Sequence, residues 1–546
     1  MDFSYSRNTE GAFDRRVERL LEIFPGMLSW SIIIGMLVFS FFLPLAASVI
    51  MIAFLLYWLL RLIYINIFLV FSYIRLEIEK STDWMERLQG IDRIDSYAKE
   101  LCAISQKKGW KNKFSSRLHY RQVERLKKSK TPAPLSKDIY HLVIIPVIRE
   151  GREIVEPGIL AIKENDYPAE RMLIVIALED SAQEEVKKEI KALQDAYRKF
   201  FLDFLVVRHP AGLPGEARVK GANVTHAAKA SAQELAKLKI PHENVLVSCF
   251  DSDTIASSNY FSCLTYHFMI TPDRTRASYQ PVPVYHNNIW QVPGFARIID
   301  IGASFFQLIE STNSKTLVTF SSHSMSFKAL TQIGYWPLDM ISDDSAVFWK
   351  AFIHYDGNYQ VVPIYTTVSM DIAAGPSFIQ TFANIYKQKR RWAWGVENFP
   401  IVIRAFMKSK KISLYKKISY AYKLLDSFVS WATWSILLVF GTWLPVLFAT
   451  REFATSTVYY TAPRIRATIF GLASLGIVIC AVISLLLLPR KKTKYPVLIR
   501  IKHALEWLLI PAVVLFLSAL PALDAQTRLM TARYMEFWVT DKIRKK

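Results

Sequence analysis

Uncharged runs long enough to cross a bilayer constrain this chain more than any other feature. Lipid offers the backbone no hydrogen-bond partners, so such runs must close on themselves as helices or barrels. From Gly26 to Ile74 the only charged residue is Arg61, and the stretch has room for two spans of about 20 residues each. Ser427–Thr450 and Ala467–Pro489 are further uncharged runs of spanning length. Trp507–Leu523 is shorter and carries Pro511 and Pro521, which suits a re-entrant or interfacial segment. The expectation is a multi-pass membrane protein with four full crossings. An apolar content of 52% agrees, being high for a wholly soluble protein. Arg61 reads as a snorkelling residue marking the cytoplasmic end of the second span. The first 26 residues are charged and lack a short apolar core followed by a cleavage site, so they do not read as a removable signal peptide.

A net charge of +21 raises nucleic-acid binding, but the location of the charge argues against it. Lysines and arginines cluster from Lys107 to Lys130, after the second apolar run, and from Arg490 to Lys502, after the fourth. The positive-inside rule produces such juxtamembrane clusters, which suit anionic membrane lipids, and no zinc-finger or basic-zipper pattern accompanies them. With Arg15–Arg19, they place the basic flanks and the C-terminus in the cytoplasm, at the cell membrane. The four cysteines form no pair with metal-ligand spacing and read as buried reduced thiols. No two histidines stand four residues apart.

Between the apolar runs the pattern changes. Tyr140–Pro146, Arg171–Leu178 and Phe204–Val207 read as buried strands, with helices at Glu153–Asn165 and Glu184–Phe200 between them. Strands alternating with helices predict an α/β fold, a mostly parallel sheet that binds ligands at the carboxyl ends of its strands. At those ends stand Glu150, Glu179-Asp180 and, after Val245–Phe250, Asp251-Ser252-Asp253. Two carboxylates one residue apart are hard oxygen ligands suited to Mg²⁺ or Mn²⁺ against a diphosphate. Lys220-Gly-Ala-Asn223, at a helix start after a Gly/Pro-rich loop, suits a phosphate or ribose. Each signal alone is equally a turn or helix cap.

Two further motifs complete a set: Ser342-Asp343-Asp344 and Gln388-Lys-Arg-Arg391-Trp392. In this order they resemble the family 2 membrane glycosyltransferases, which include the processive cellulose, chitin and hyaluronan synthases. The resemblance runs from about Tyr140 to Trp394 with the flanking spans. It implies a GT-A-like, Rossmann-type nucleotide-sugar-binding domain flanked by transmembrane helices, and an inverting hexosyltransferase using a UDP-sugar. Asp344 is then the base with Asp343 beside it, a nearby like charge raising its pKa. Asp251 and Asp253 hold the metal, while Glu150, Glu179, Asp180, Lys220 and Arg391 face the nucleotide sugar. Gln388, Trp392 and His323 face the acceptor. Lys389 and Arg390 point away from any shared site. Phe537-Trp-Val-Thr540-Asp-Lys542 resembles the gating loop of bacterial cellulose synthases, which adds Thr540 and Lys542 to the nucleotide contacts.

The chain departs from the family at Glu179-Asp180, where Asp-Asp is usual, and at Phe320–Ser324, which replaces a Cys-Gly-Ser-type acceptor element. The expected organisation is a two-span segment (1–75), a basic helical linker (76–137), the catalytic domain (138–375), interfacial helices (376–420) and a C-terminal membrane region with the tail (421–546). The acceptor is a growing polysaccharide or, alternatively, a membrane lipid glycosylated once. A transporter or scaffold with a degenerate domain is the reading from another class, opposed by the complete carboxylate set.

Overall fold

The computed structural model describes residues 3–7, 11–107, 110–128, 134–489 and 496–538. The chain forms two compact units. The first comprises Met1–Arg7, Ile74–Val284 and Glu310–Asp371, and the second Asn8–Tyr73, Tyr285–Ile309 and Ile372–Lys546.

The first unit is built on an eight-stranded mixed sheet. Its strands are β1 (Tyr140–Val147), β2 (Met172–Glu179), β3 (Asp203–His209), β4 (Val245–Cys249), β5 (Ile255–Ala256), β6 (Ala277–Val284), β7 (Ser324–Ser326) and β8 (Gln360–Ser369). They lie in the order β3-β2-β1-β4-β7-β6-β8-β5. β3, β2, β1 and β4 run parallel, so Val147, Glu179 and Cys249 end on one edge. Val, Ile and Leu fill β1, β2 and β4 because helices cover both sheet faces. Thr254, the residue after Asp253, is approached closely by the helix Arg152–Lys163: a Cβ on Gly158 would stand 2.6 Å from its carbonyl oxygen. Only glycine permits that packing.

The stretch expected as a linker, 76–137, is part of this unit. Trp84, Leu88 and Ile91 line one face of the helix Trp84–Asp92 and, with Leu126, join the core that contains β1 and β2. Spacings of four and three residues bury a stripe even in a charged sequence, which composition alone hides. Conversely the helix Gly294–Glu310 lies largely in the second unit, not with the sheet.

Five helical segments of the described residues are long and apolar enough to cross a membrane: Ala12–Phe42, Pro44–Lys80, Leu414–Leu447, Thr457–Leu487 and Val497–Met530. The last is much longer than the uncharged stretch read from sequence, because helix continues through charged residues on both sides. Contacts in the second unit nonetheless bring its two ends to the same end of the bundle. The first two helices are antiparallel neighbours, and the fourth runs parallel to the second, Trp58 meeting Phe470 and Asn66 meeting Cys480. The fourth helix therefore ends where the first begins. His503 and Trp507 bond to Ser484 near the end of the fourth helix, while Arg19 near the start of the first donates 2.8 Å to the Leu529 carbonyl. The segment changes helical type at Trp507–Leu509 and Leu515–Ala519, beside Pro511 and Pro521, where missing N–H groups loosen it. Arg61 does not simply snorkel: it pairs with Asp426 at 3.0 Å and lies over Trp434.

Tags placed before Met1 and after Lys546 should therefore report the same side of the membrane. A protease that removes one tag and spares the other in sealed vesicles would contradict this arrangement.

Candidate active site

Parallel pairing brings the carboxyl ends of β1, β2 and β4 together, and the loops that follow carry the site. Asp251 leaves β4 beside the loop Phe320–His323, because β7 pairs antiparallel with β4 and the Cys249 N–H donates to the His323 carbonyl. Ser321 Oγ donates to Asp251 Oδ2 at 2.6 Å, and Ser322 Oγ lies 2.8 Å from Thr254 Oγ1. Ser322 has φ +58°, a strained conformation for a side-chain-bearing residue, held by this network. The strain aims two hydroxyls at the Asp251–Thr254 turn. The segment is unusual in sequence, but nothing local marks either serine as a partner of that turn.

Lys220 enters from the other side, on the first turn of the helix Lys220–Lys237. Its ammonium lies 2.9 Å from Asp251, 3.2 Å from Asp344 and 3.9 Å from Asp343. Asn223, one turn on, fixes the helix to β2 through the Ala177 carbonyl. Gly221 is needed here, since a Cβ would collide with the Pro337 carbonyl oxygen and touch Asp343. Asp343 and Asp344 open the helix Asp343–His354, where carboxylates meet its positive end. Burial alone would lower the Lys220 pKa, but Asp251 and Asp344 outweigh it and hold the ammonium well above its usual range. The expectation that Asp343 acts on Asp344 as an unscreened like charge changes accordingly, because a cation stands beside both.

Asp253 is buried, and its Oδ2 accepts the Asp371 N–H at 2.9 Å. His323 is also buried, its Nδ1 3.0 Å from the Phe320 carbonyl, and burial lowers its pKa. Glu179 forms a chain with His209 (3.2 Å) and Glu216 (2.8 Å from the other ring nitrogen), and burial raises its pKa. No sequence signal pointed to His209 or Glu216. Glu150 accepts the N–H groups of Ile148 and Arg149, a turn-cap geometry. Asp180 is exposed, with Lys187 at 3.9 Å. Lys220, Asp251, Asp343 and Asp344 thus converge, whereas Glu150, Glu179 and Asp180 each have other partners.

Gln388, Arg391 and Trp392 lie in the second unit, on the helix Phe378–Ala393. Arg391 donates to the Trp538 carbonyl at 3.2 Å and lies over the Phe537 ring, so the start of the C-terminal tail docks on this helix. Thr540 and Lys542 lie outside the described residues. Gln388 is buried. Lys389 does not point away: it is buried, pairs with buried Asp300, and places its ammonium 3.5 Å from the centroid of the Trp392 ring. Burial pushes the Asp300 pKa up and the Lys389 pKa down, and their attraction opposes both shifts. Helical periodicity could not reveal this, because the partner comes from a distant helix.

Residues 246–487 match the family described as "Glycosyl transferase family group 2". That stretch, less than half of the chain, is what is similar to the family 2 glycosyltransferases. The match includes Asp251, Asp253, Asp343, Asp344 and the Gln388–Trp392 motif, and it begins after Lys220. A poly-beta-1,6-N-acetyl-D-glucosamine synthase of Staphylococcus aureus is 36% identical over 90 residues, 16% of this chain and 19% of that protein. Its Staphylococcus epidermidis counterpart is 34% identical over 90 residues, with the same shares covered. The alignments thus span about a fifth of those relatives' length. Among solved structures, a mannosyltransferase from Pyrobaculum calidifontis in complex with GDP-Man and Mn²⁺ is 15% identical, with a TM-score of 0.38, covering 71% of this chain and 99% of that one. Staphylococcus aureus TarS 1–349 in complex with UDP is 10% identical, with a TM-score of 0.33, covering 62% and 90%. The fold itself is a mixed α/β sheet with apolar helices before and after it in the chain.

Two predictions follow from the ion pairs. Lys220→Met leaves its carboxylates without their cation and should cost about 3 kcal/mol, the low end for a broken buried pair since Asp251 and Asp344 keep some solvent. Added Mn²⁺ should recover most of that loss in thermal unfolding; a loss indifferent to divalent cations would contradict the cluster's role. Lys389→Met should cost about 3–5 kcal/mol, and combining it with Asp300→Leu should restore most of it. Additive losses in the double variant would show that the two charges do not act as a pair.

Proposed function

We propose that the protein is a membrane-embedded, inverting glycosyltransferase that moves a sugar from a UDP-sugar to a growing polysaccharide. The observation that carries this reading is the convergence of Lys220, Asp251, Asp343 and Asp344 at the carboxyl edge of the sheet. The supporting comparison is the family match across three of the four.

Asp344 is the base. Lys220 anchors its Oδ1 and Thr319 Oγ1 donates to its main-chain carbonyl, leaving Oδ2 to take the acceptor hydroxyl's proton as the oxygen attacks the anomeric carbon. The carboxylates of Asp251 and Asp253 are the donor set for Mg²⁺ or Mn²⁺, which when bound supplies positive charge to the leaving diphosphate. Lys220 adds fixed charge for the same group, a role that the family resemblance also gives Arg391. Glu179, Asp180 and Glu150 border the nucleotide side, with Thr540 and Lys542 of the tail assigned to it by resemblance. Trp392 offers the acceptor sugar a flat ring beside Gln388, and the family resemblance assigns His323 to the acceptor as well. The catalytic domain faces the cytoplasm, by the charge asymmetry of the flanks, with the membrane crossed four times.

Purified protein in detergent should turn over one member of a UDP-sugar panel in a divalent-dependent manner. The N-acetylglucosamine donor is tested first, since the matched relatives are named for that polymer. Asp344→Asn should lower the rate by about 10²–10⁴ with UDP binding retained. Wild-type turnover in Asp344→Asn would remove the base assignment. A product one sugar long on a lipid would replace the polymerising reading by single addition.

A further inference from the structure

Within the first unit, away from the carboxylate cluster, three side chains of different chemistry meet. Cys263 and His267 stand four residues apart, one turn of the helix Tyr260–Ile270, and face Glu79 from the last turn of Pro44–Lys80. A ligand atom from each lies within 4.8 Å of the others, and all three residues are buried. A Cys and a His four residues apart make a mixed pair, which spacing among cysteines alone or histidines alone does not reveal.

The hydrogen bonding is incomplete in a specific way. Arg75 takes Glu79 Oε1 at 2.7 Å and lies over the Tyr365 ring. Glu79 Oε2 and His267 Nε2 accept and donate no hydrogen bond, although both atoms are sealed from solvent. They face each other across 3.8 Å, too far for a hydrogen bond. Two unsatisfied buried polar atoms cost about 1–3 kcal/mol each. Two ligands on one tetrahedral zinc ion, at bond lengths near 2.1 Å, are separated by roughly 3.4 Å. The gap is therefore close to what an ion bridges, and an ion would satisfy both atoms at once.

We propose that Glu79, Cys263 and His267 form a zinc site. Thiolate, imidazole and carboxylate form a borderline-soft set that selects Zn²⁺ over Mg²⁺, in contrast to the all-oxygen pair Asp251/Asp253. On binding, Cys263 loses its thiol proton to solvent as the zinc–sulfur bond forms, while His267 binds as neutral imidazole. The thiolate and carboxylate offset the ion's two charges, Glu79 sharing its own between the ion on Oε2 and Arg75 on Oε1, and the remaining positive charge stays on Arg75 over the Tyr365 ring. The ion ties the last turn of the Pro44–Lys80 helix to the helix Tyr260–Ile270, whose Cys263, Leu264 and Phe268 belong to the sheet's core. Its role is structural.

The test uses the full chain, purified in detergent from zinc-supplemented cells and freed of loose metal on a weak chelating resin. Elemental analysis should find about one zinc per chain, the stoichiometry of a mononuclear site. Asp253→Ala should retain it, and Cys263→Ser and His267→Gln should lose it. Replacing zinc by Co²⁺ in the wild-type chain should give a thiolate-to-cobalt charge-transfer band, a readout that needs no variant to fold. Zinc retained by Cys263→Ser but lost from Asp253→Ala would assign the metal to the carboxylates and overturn the proposal. So would a wild-type chain without zinc, or a cobalt protein without the thiolate band.

Discussion

Three carboxylates from two separate loops converge on the ammonium of Lys220, and the geometry of the sheet edge depends on that cation. Like charges gathered in a partly buried cleft repel, and a counter-charge is needed among them. Lys220 removes the conflict by standing between the residue that ends β4 and those that open the helix Asp343–His354. In the proposed function the same charge also serves the leaving diphosphate. The lysine therefore holds the three carboxylates together with one charge.

The second unit solves a related problem in a less polar setting. Lys389 with Asp300, Arg404 with Glu18 and Arg297 with Glu506 are buried pairs, each joining segments far apart in sequence. Such pairs add little net stability over apolar packing, but losing one partner is costly. Their value here is register: Arg404 fixes the helix Asn398–Lys408 along the first apolar helix, and Lys389 sets the height of the Trp392 ring. Trp392 also lies 6.1 Å from the Tyr285 ring, so the indole is held from two sides.

Much of the sheet was legible because its strands are uninterrupted Val/Ile/Leu runs punctuated by polar ends, a pattern that buried parallel strands require. Strand boundaries from β1 to β4 fall within a few residues of those read from sequence. The carboxylates were legible for the same reason, standing where such strands stop. Lys220 was legible as a helix-start residue but not as their shared partner, since pairing across 31 or 124 residues leaves no local trace. Asp300 was invisible for that reason too, lying in an apolar helix with nothing nearby to mark it. The helix Trp84–Asp92 was misread as linker because charge dominated its composition while three residues at helical spacing buried it. The final helical segment was read too short, since a charge-free criterion stops where the helix does not.

The central claim is that the Lys220–Asp251–Asp344 cluster is a nucleotide-sugar site completed by a divalent cation. Titration calorimetry of UDP into the purified chain, with and without Mn²⁺, tests it most directly, with Asp251→Asn as the comparison. The account predicts UDP binding that needs Mn²⁺ in the wild type and is lost in Asp251→Asn at every Mn²⁺ concentration. Tight UDP binding that ignores both the metal and the substitution would contradict it.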